Sequence, residues 1–162
     1  MAWAFVLAIS GADHPSLRSS EIARLEERRA RLVAAERPTE LLRSWLTHRA
    51  QRLTYSVSAR DLPDLGDDPR LVRSGISDPL SLIGAASMVE GYVAQSLLGG
   101  LVSEYLLIPS SKADVVLHVY EPFETIDPAS DDYATGRLIA DLSEHRDARS
   151  RSRAEALIRA VS

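Results

Sequence analysis

The 162-residue chain has no cysteine, a single lysine (Lys112) among its 19 basic residues, and aromatics at only 6%. Without cysteine there is no disulfide, no thiol nucleophile and no thiolate-bound zinc, and the composition suits a reducing compartment. With one lysine, the positive charge is carried almost wholly by arginine, the better fork for carboxylates and phosphates. No run reaches the ~20 apolar residues that span a bilayer. Residues 2–9 match the length of a signal-peptide core, and Ser10-Gly11-Ala12 resembles a cleavage site, but no lysine or arginine precedes them. They read as a buried strand or helix. Internal repeats and low-complexity tracts are missing too.

What is there is globular. The apolar fraction of 45% and charged fraction of 26% suit one domain, or one domain with a helical extension. Such a chain buries roughly 70% of its unfolded surface, enough for a core without staples. The net charge of −4 hides a segregation: residues 1–60 carry ten arginines against six acids, 61–145 four bases against fifteen acids, and 146–162 five arginines against two acids. Basic ends around an acidic middle either neutralise one another in the fold or serve separate partners.

Hydrophobic spacing predicts a helix over 16–35, with Ile22, Leu25, Leu32 and Val33 as one stripe and arginine and glutamate elsewhere. Asp13 or Ser16 caps it, after the break at His14 and Pro15. Pro38-Thr39 ends it and caps a second amphipathic helix with Leu41, Leu42, Trp45 and Leu46. The period then switches to two at 52–58, a strand with Leu53, Tyr55 and Val57 on one face. Residues 61–69 form a Pro/Gly/Asp loop with one helical turn.

The stretch 73–121 is apolar, glycine-punctuated and poor in catalytic side chains. Short strands are expected at 71–72 and 80–83 around a 74–79 turn, and another at 88–93. A helix from Leu97 is interrupted at Gly99-Gly100 and passes into an extended 105–108 segment. Residues 113–120, apolar on both faces, form a central strand. Residues 122–128 are loop, and helices fill 129–144 and 146–161. The expected fold is α+β: a small mixed sheet flanked by an N-terminal amphipathic helix pair and C-terminal helices. Two regions are expected, 1–58 with the helices and one strand, and 59–162 with the core and C-terminal helices, or one continuous domain.

Chemistry is sparse. Of His14, His48, His118 and His145, His118 sits on the central strand beside Val116 and Tyr120, as a general base or a hydrogen-bonded core residue. Asp141 and His145 stand at metal-ligand spacing on one helix, which is also the spacing of an ion pair. Asp61, Asp64, Asp67 and Asp68 lack the alternating oxygens and fixed glycine of a calcium loop and read as turn residues. The 74–78 segment has the small residues of a phosphate cradle without a Walker lysine, a GxGxxG or a GxSxG, so Ser74 and Asp78 read as turn or helix caps. No catalytic residue, metal ligand or cofactor is assigned. Arg24, Arg28, Arg31, Arg43 and Arg49 are the candidate contacts to nucleic acid or a partner, on helices where Glu21, Glu26, Glu27, Glu36 and Glu40 interleave.

Six short segments occur in a fixed order: 61–65 and 68–70, then 74–79 (Ser-Gly-Ile-Ser-Asp-Pro), 89–93 (Val-Glu-Gly-Tyr-Val), 106–110 and 115–119. With 138–149 as a closing helix, this order resembles actinobacterial AbiEi-like antitoxin and transcriptional-regulator proteins over about residues 61–155. The resemblance implies a cytoplasmic, non-catalytic protein that acts with a nucleotidyltransferase-type toxin and binds operator DNA through an N-terminal winged helix. Residues 1–58 depart from that pattern, giving two amphipathic helices and a strand without a recognition helix. The leading expectation is a binding module acting through protein contacts, with or without DNA. The alternatives are a small enzyme using His118 with Asp61, Asp64 or Asp78, and a homodimeric structural domain.

Overall fold

The structure, a computed structural model, describes residues 2–12, 17–84, 87–122 and 127–161. The expected break at His14, the caps Asp13 and Ser16, and most of the 122–128 loop lie outside the described residues. The fold is α+β, as expected, with two compact units: Met1–Arg49 with Ser130–Ser162, and Ala50–Ala129. This division differs from the expected one at residue 58. The C-terminal helices join the N-terminal ones, and the first strand goes to the sheet.

The first unit is helical. α1 (Ala2–Ile9) is apolar on every side and accordingly buries Trp3, Phe5, Val6 and Ile9. α2 (Ser19–Ala34) buries only Leu25 and Leu32, while Ile22 and Val33 of the expected stripe stay 44% and 42% exposed. α3 (Pro38–Leu46) opens with proline in its first turn, where a missing N–H costs nothing. Its cap position is Arg37, and Thr39 lies inside the helix, buried. α6 (Ala134–Glu144) and α7 (Ala148–Ala160) complete the unit, with Leu138, Ile139, Leu142 and Ile158 in the core. A 3₁₀ turn over Asp131–Tyr133 precedes α6. α1 and α6 approach closely at Gly136, where a Cβ would meet the Val6 carbonyl oxygen at 2.1 Å. The Gly136 N–H donates to Ser10 Oγ at 2.8 Å, tying the end of α1 to α6.

The second unit holds a five-stranded sheet in the order β2-β3-β5-β1-β4. Its strands are β1 (Gln51–Ser56), β2 (Val72–Arg73), β3 (Val89–Ala94), β4 (Ile108–Pro109) and β5 (Val115–Tyr120). β5 is central, parallel to β3 and antiparallel to β1, as its two apolar faces require. One face carries Val89, Val93, Val115, Leu117 and Val119 into a core closed by Leu62 and Leu65 of α4 (Leu62–Gly66) and Leu101 of α5 (Gln95–Glu104). α5 runs unbroken through Gly99-Gly100, correcting the expected interruption. The expected strand at 80–83 is instead a 3₁₀ turn, Pro79–Ser81, capped by Asp78 accepting the Leu80 N–H at 2.7 Å. Proline at its start fixes φ and removes the donor a strand would need.

Candidate functional site

Strand alternation sends Glu90 and Tyr92 of β3, and Val116, His118 and Tyr120 of β5, to the opposite face from that core. The parallel register sets Tyr92 directly beside His118, and their rings stack at 4.8 Å. His118 Nε2 and Glu90 Oε1 are 3.0 Å apart, on side chains that are 1% and 0% exposed. A buried ionisable pair of this kind persists only when its polar atoms are partnered. The loop before β3 supplies the partners. The Ile76 N–H donates to Glu90 Oε2 at 3.0 Å, and the Glu90 N–H donates to Ser77 Oγ at 2.7 Å. Ser77 Oγ donates in turn to the Met88 carbonyl at 3.2 Å, and the Ser74 N–H donates to the Glu90 carbonyl at 3.1 Å. Residues 74–77 therefore hold Glu90 at two levels, one N–H bonding its carboxyl group and the other bonds fixing its main chain.

The carboxylate paired with His118 is thus Glu90. Of the expected candidates, Asp78 caps the 79–81 turn and Asp61 stands at the N-cap of α4, while Asp64 belongs to its first turn. Sequence reasoning passed over Glu90. The signal was available: it is the one acid in an otherwise apolar strand, and it shares the phase of Tyr92.

The acidic loop is bound up in local pairs. Asp68 receives Arg70 Nε at 2.9 Å and Arg70 Nη2 at 2.6 Å, with the Tyr105 hydroxyl donating at 3.0 Å. These bonds, Arg70's side-chain bond foremost, hold the Asp68 carboxyl well below the usual carboxylate range although burial opposes them. Burial, and then the Asp68 hydrogen bond and charge, push the Tyr105 hydroxyl up. Arg70 also reaches Glu104 at 2.6 Å, and Arg73 pairs with Asp67 while donating Nε to the Gly66 carbonyl at 2.6 Å. Among the described residues, no cluster of three histidines and acids has the geometry to hold a metal.

The five candidate arginines separate. Arg49 is buried: its Nη2 lies 2.5 Å from Asp141, its Nη1 meets Glu144 and donates to the Leu46 carbonyl at 3.1 Å. It is a structural ion-pair partner rather than a surface contact, because it sits just past α3 and faces α6. Asp141, half of the Asp141/His145 spacing, is committed to this guanidinium. Arg24, Arg28, Arg31 and Arg43 are exposed. The guanidinium carbons of Arg28 and Arg31 each lie 5.8 Å from the centre of the Trp45 ring, within cation–π range. Trp45 is itself fixed edge-on by Phe5 at 5.5 Å. Arg24, Arg28 and Arg31, with Leu25 and Glu27, line a shallow groove of about 290 Å³ on α2.

No family model, curated protein or solved structure matches the chain. Among the described residues, no helix is long and apolar enough to cross a membrane.

Proposed function

We infer that the chain is a non-catalytic binding module that engages an acidic protein surface through Arg24, Arg28, Arg31 and Arg43. One observation carries this reading: two exposed guanidinium groups are held against a tryptophan ring that the helical core fixes in place. Arginines ordered in this way lose little side-chain entropy on binding, which favours affinity at a given contact area. Glu27 in the same groove, with Glu26, Glu36 and Glu40 also exposed along α2, the following turn and α3, gives a mixed surface. Such a surface suits a protein's carboxylates better than a polyphosphate backbone, whose affinity scales with the number of phosphates neutralised.

The resemblance to AbiEi-like antitoxins favours a nucleotidyltransferase-type toxin in the cytoplasm as the acidic partner, with operator DNA as a second ligand. The test is co-expression with the product of the neighbouring gene, then calorimetry on the purified pair. Arg28→Glu/Arg31→Glu should weaken the complex at least tenfold, and Trp45→Leu should weaken it less. An unchanged affinity in the charge-reversed variant overturns the assignment of this face. Nanomolar, sequence-selective retention of operator DNA at physiological salt makes nucleic acid the primary ligand instead.

A second reading, a small enzyme built on His118, draws on the 3.0 Å contact with Glu90, an arrangement that orients an imidazole. The burial of both side chains weighs for a structural pair. A hydrolase or transferase activity that disappears in His118→Ala would restore the enzyme reading.

A further inference from the structure

α2 presents three different faces. Leu25 and Leu32 point into the helical core, and Arg24, Arg28 and Arg31 lie to one side of them. On the other side, helical spacing aligns Ile22, Glu26, Arg29 and Val33, flanked by the exposed Ala23, Ala30 and Ala34. Glu26, Arg29, Ala30, Val33 and Ala34 line a second shallow groove, of about 520 Å³. Two β-branched side chains over 40% exposed on one helix stripe, with alanines beside them, form an apolar surface left open by the described residues of the helical unit.

The order of this stripe is apolar, acid, base, apolar, and that order is self-complementary under reversal. When a second α2 is laid antiparallel, Ile22 of one copy stands opposite Val33 of the other, and Glu26 stands opposite Arg29, twice. A parallel arrangement places like charges together at both positions, so the charges select one orientation. Antiparallel helix dipoles favour the same orientation. The alanines permit close approach of the two axes. Arg29 is already oriented, because its Nη2 donates to the Val161 carbonyl at the end of α7.

We propose that this stripe is a two-fold interface and that its occupant is α2 of a second copy of the chain. The sixteen-residue helix is ~24 Å long. A contact of that length falls below the ~800 Å² per partner of a standard interface. The dimer is therefore a weak, reversible one, and it leaves the Arg24, Arg28 and Arg31 face open to another partner.

Sedimentation velocity on the full chain, from micromolar to near-millimolar loading, tests the proposal. The wild type should show a concentration-dependent monomer–dimer equilibrium. Glu26→Arg, at an exposed position, should weaken it at least tenfold by setting a second guanidinium against that of Arg29. Arg29→Glu should do the same by setting two carboxylates together. An equimolar mixture of the two variants should regain the dimer, since each copy then offers the charges the other requires. Ile22→Asp provides a variant independent of Arg29's contact with Val161, and far-UV melts confirm folding throughout. A wild type that stays monomeric over the whole range overturns the proposal. So does a dimer indifferent to Glu26→Arg and Ile22→Asp, or a mixture that remains monomeric while both variants are folded.

Discussion

The Glu90 carboxylate occupies the space that a side chain at position 75 would need: a Cβ on Gly75 would lie 2.0 Å from Glu90 Oε2. Gly75 also has φ of +56°, a conformation L side chains resist. The neighbouring Ile76 N–H bonds the same oxygen, so loop and carboxylate define each other's position. The loop's glycine thus serves the buried Glu90–His118 pair, leaving room for the Glu90 side chain in the 74–78 segment.

Gly75→Ala should lower stability by about 2 kcal/mol or more, from left-handed strain together with displacement of a buried carboxylate. The check is a denaturant series that includes Glu90→Ala and the double variant. If the clash dominates, the cost of Gly75→Ala should shrink markedly in the Glu90→Ala background, leaving mainly the φ contribution. Equal costs in both backgrounds would show that the carboxylate does not restrict position 75.

For the pair itself, replacing one member by an apolar residue takes from the other a buried hydrogen-bonding partner at 3.0 Å. Glu90→Leu should cost ~3–5 kcal/mol, while Glu90→Gln, which keeps an acceptor toward the Ile76 N–H, should cost less. Thermal melts of the two variants give the comparison. A Glu90→Leu variant as stable as the wild type would mean that the Glu90–His118 contact contributes nothing net to the fold.

The fold was legible where one periodicity governed a whole segment. Residues 113–120 are apolar on both faces, and β5 is the central strand. Residues 52–58 alternate and became β1 within two residues, and the expected strand at 88–93 became β3 within one. Reading failed where a local signal was set against tertiary packing. Gly99-Gly100 weakens a helix in isolation, but Leu101 is fully buried in the sheet's core and holds α5 together. The candidate site was less legible, because partnership is not written in sequence spacing. Arg49 and Asp141 are 92 residues apart, and Glu90 and His118 are 28 apart. Nothing in the local pattern around Arg49 separated it from the exposed arginines upstream.

The core prediction follows from β5. Leu117 is fully buried between the core residues of neighbouring strands, so Leu117→Ala should cost ~2–5 kcal/mol according to how far the site collapses. A denaturation midpoint unmoved by the substitution would contradict the central position of the strand in solution.

Acid sensitivity should arise partly at Asp68. Its pKa is lowered in the folded protein, chiefly by the Arg70 side-chain bonds, below the ~3.9 of an unfolded aspartate. A group depressed in this direction stabilises the fold above its unfolded pKa and loses that contribution as pH falls toward the folded value. Asp68→Asn should therefore be less stable than wild type at neutral pH, and the gap should narrow steadily below about pH 4. Urea midpoints measured from pH 7 to pH 2 would show it. A gap that stays constant over that range would mean that Asp68 titrates alike in both states.

Arg49 and Arg28 give the sharpest contrast, since both are arginines of the basic N-terminal region and only one is enclosed. Arg49 holds Asp141 at 2.5 Å with both side chains almost wholly buried, and it meets Glu144 as well. Arg49→Met removes the guanidinium that pairs with both Asp141 and Glu144 and should cost ~3–5 kcal/mol, whereas Arg28→Ala on the surface should stay within ~0.5 kcal/mol. Removing the acid along with the base is the decisive control. Arg49→Met/Asp141→Leu should recover much of the loss, because two apolar side chains of similar volume need no desolvation of charge. Chemical denaturation of the three variants measures these differences directly. If Arg49→Met proves as mild as Arg28→Ala, the guanidinium is not the counter-ion of Asp141 in solution, and Arg49 returns to the set of arginines open to a partner.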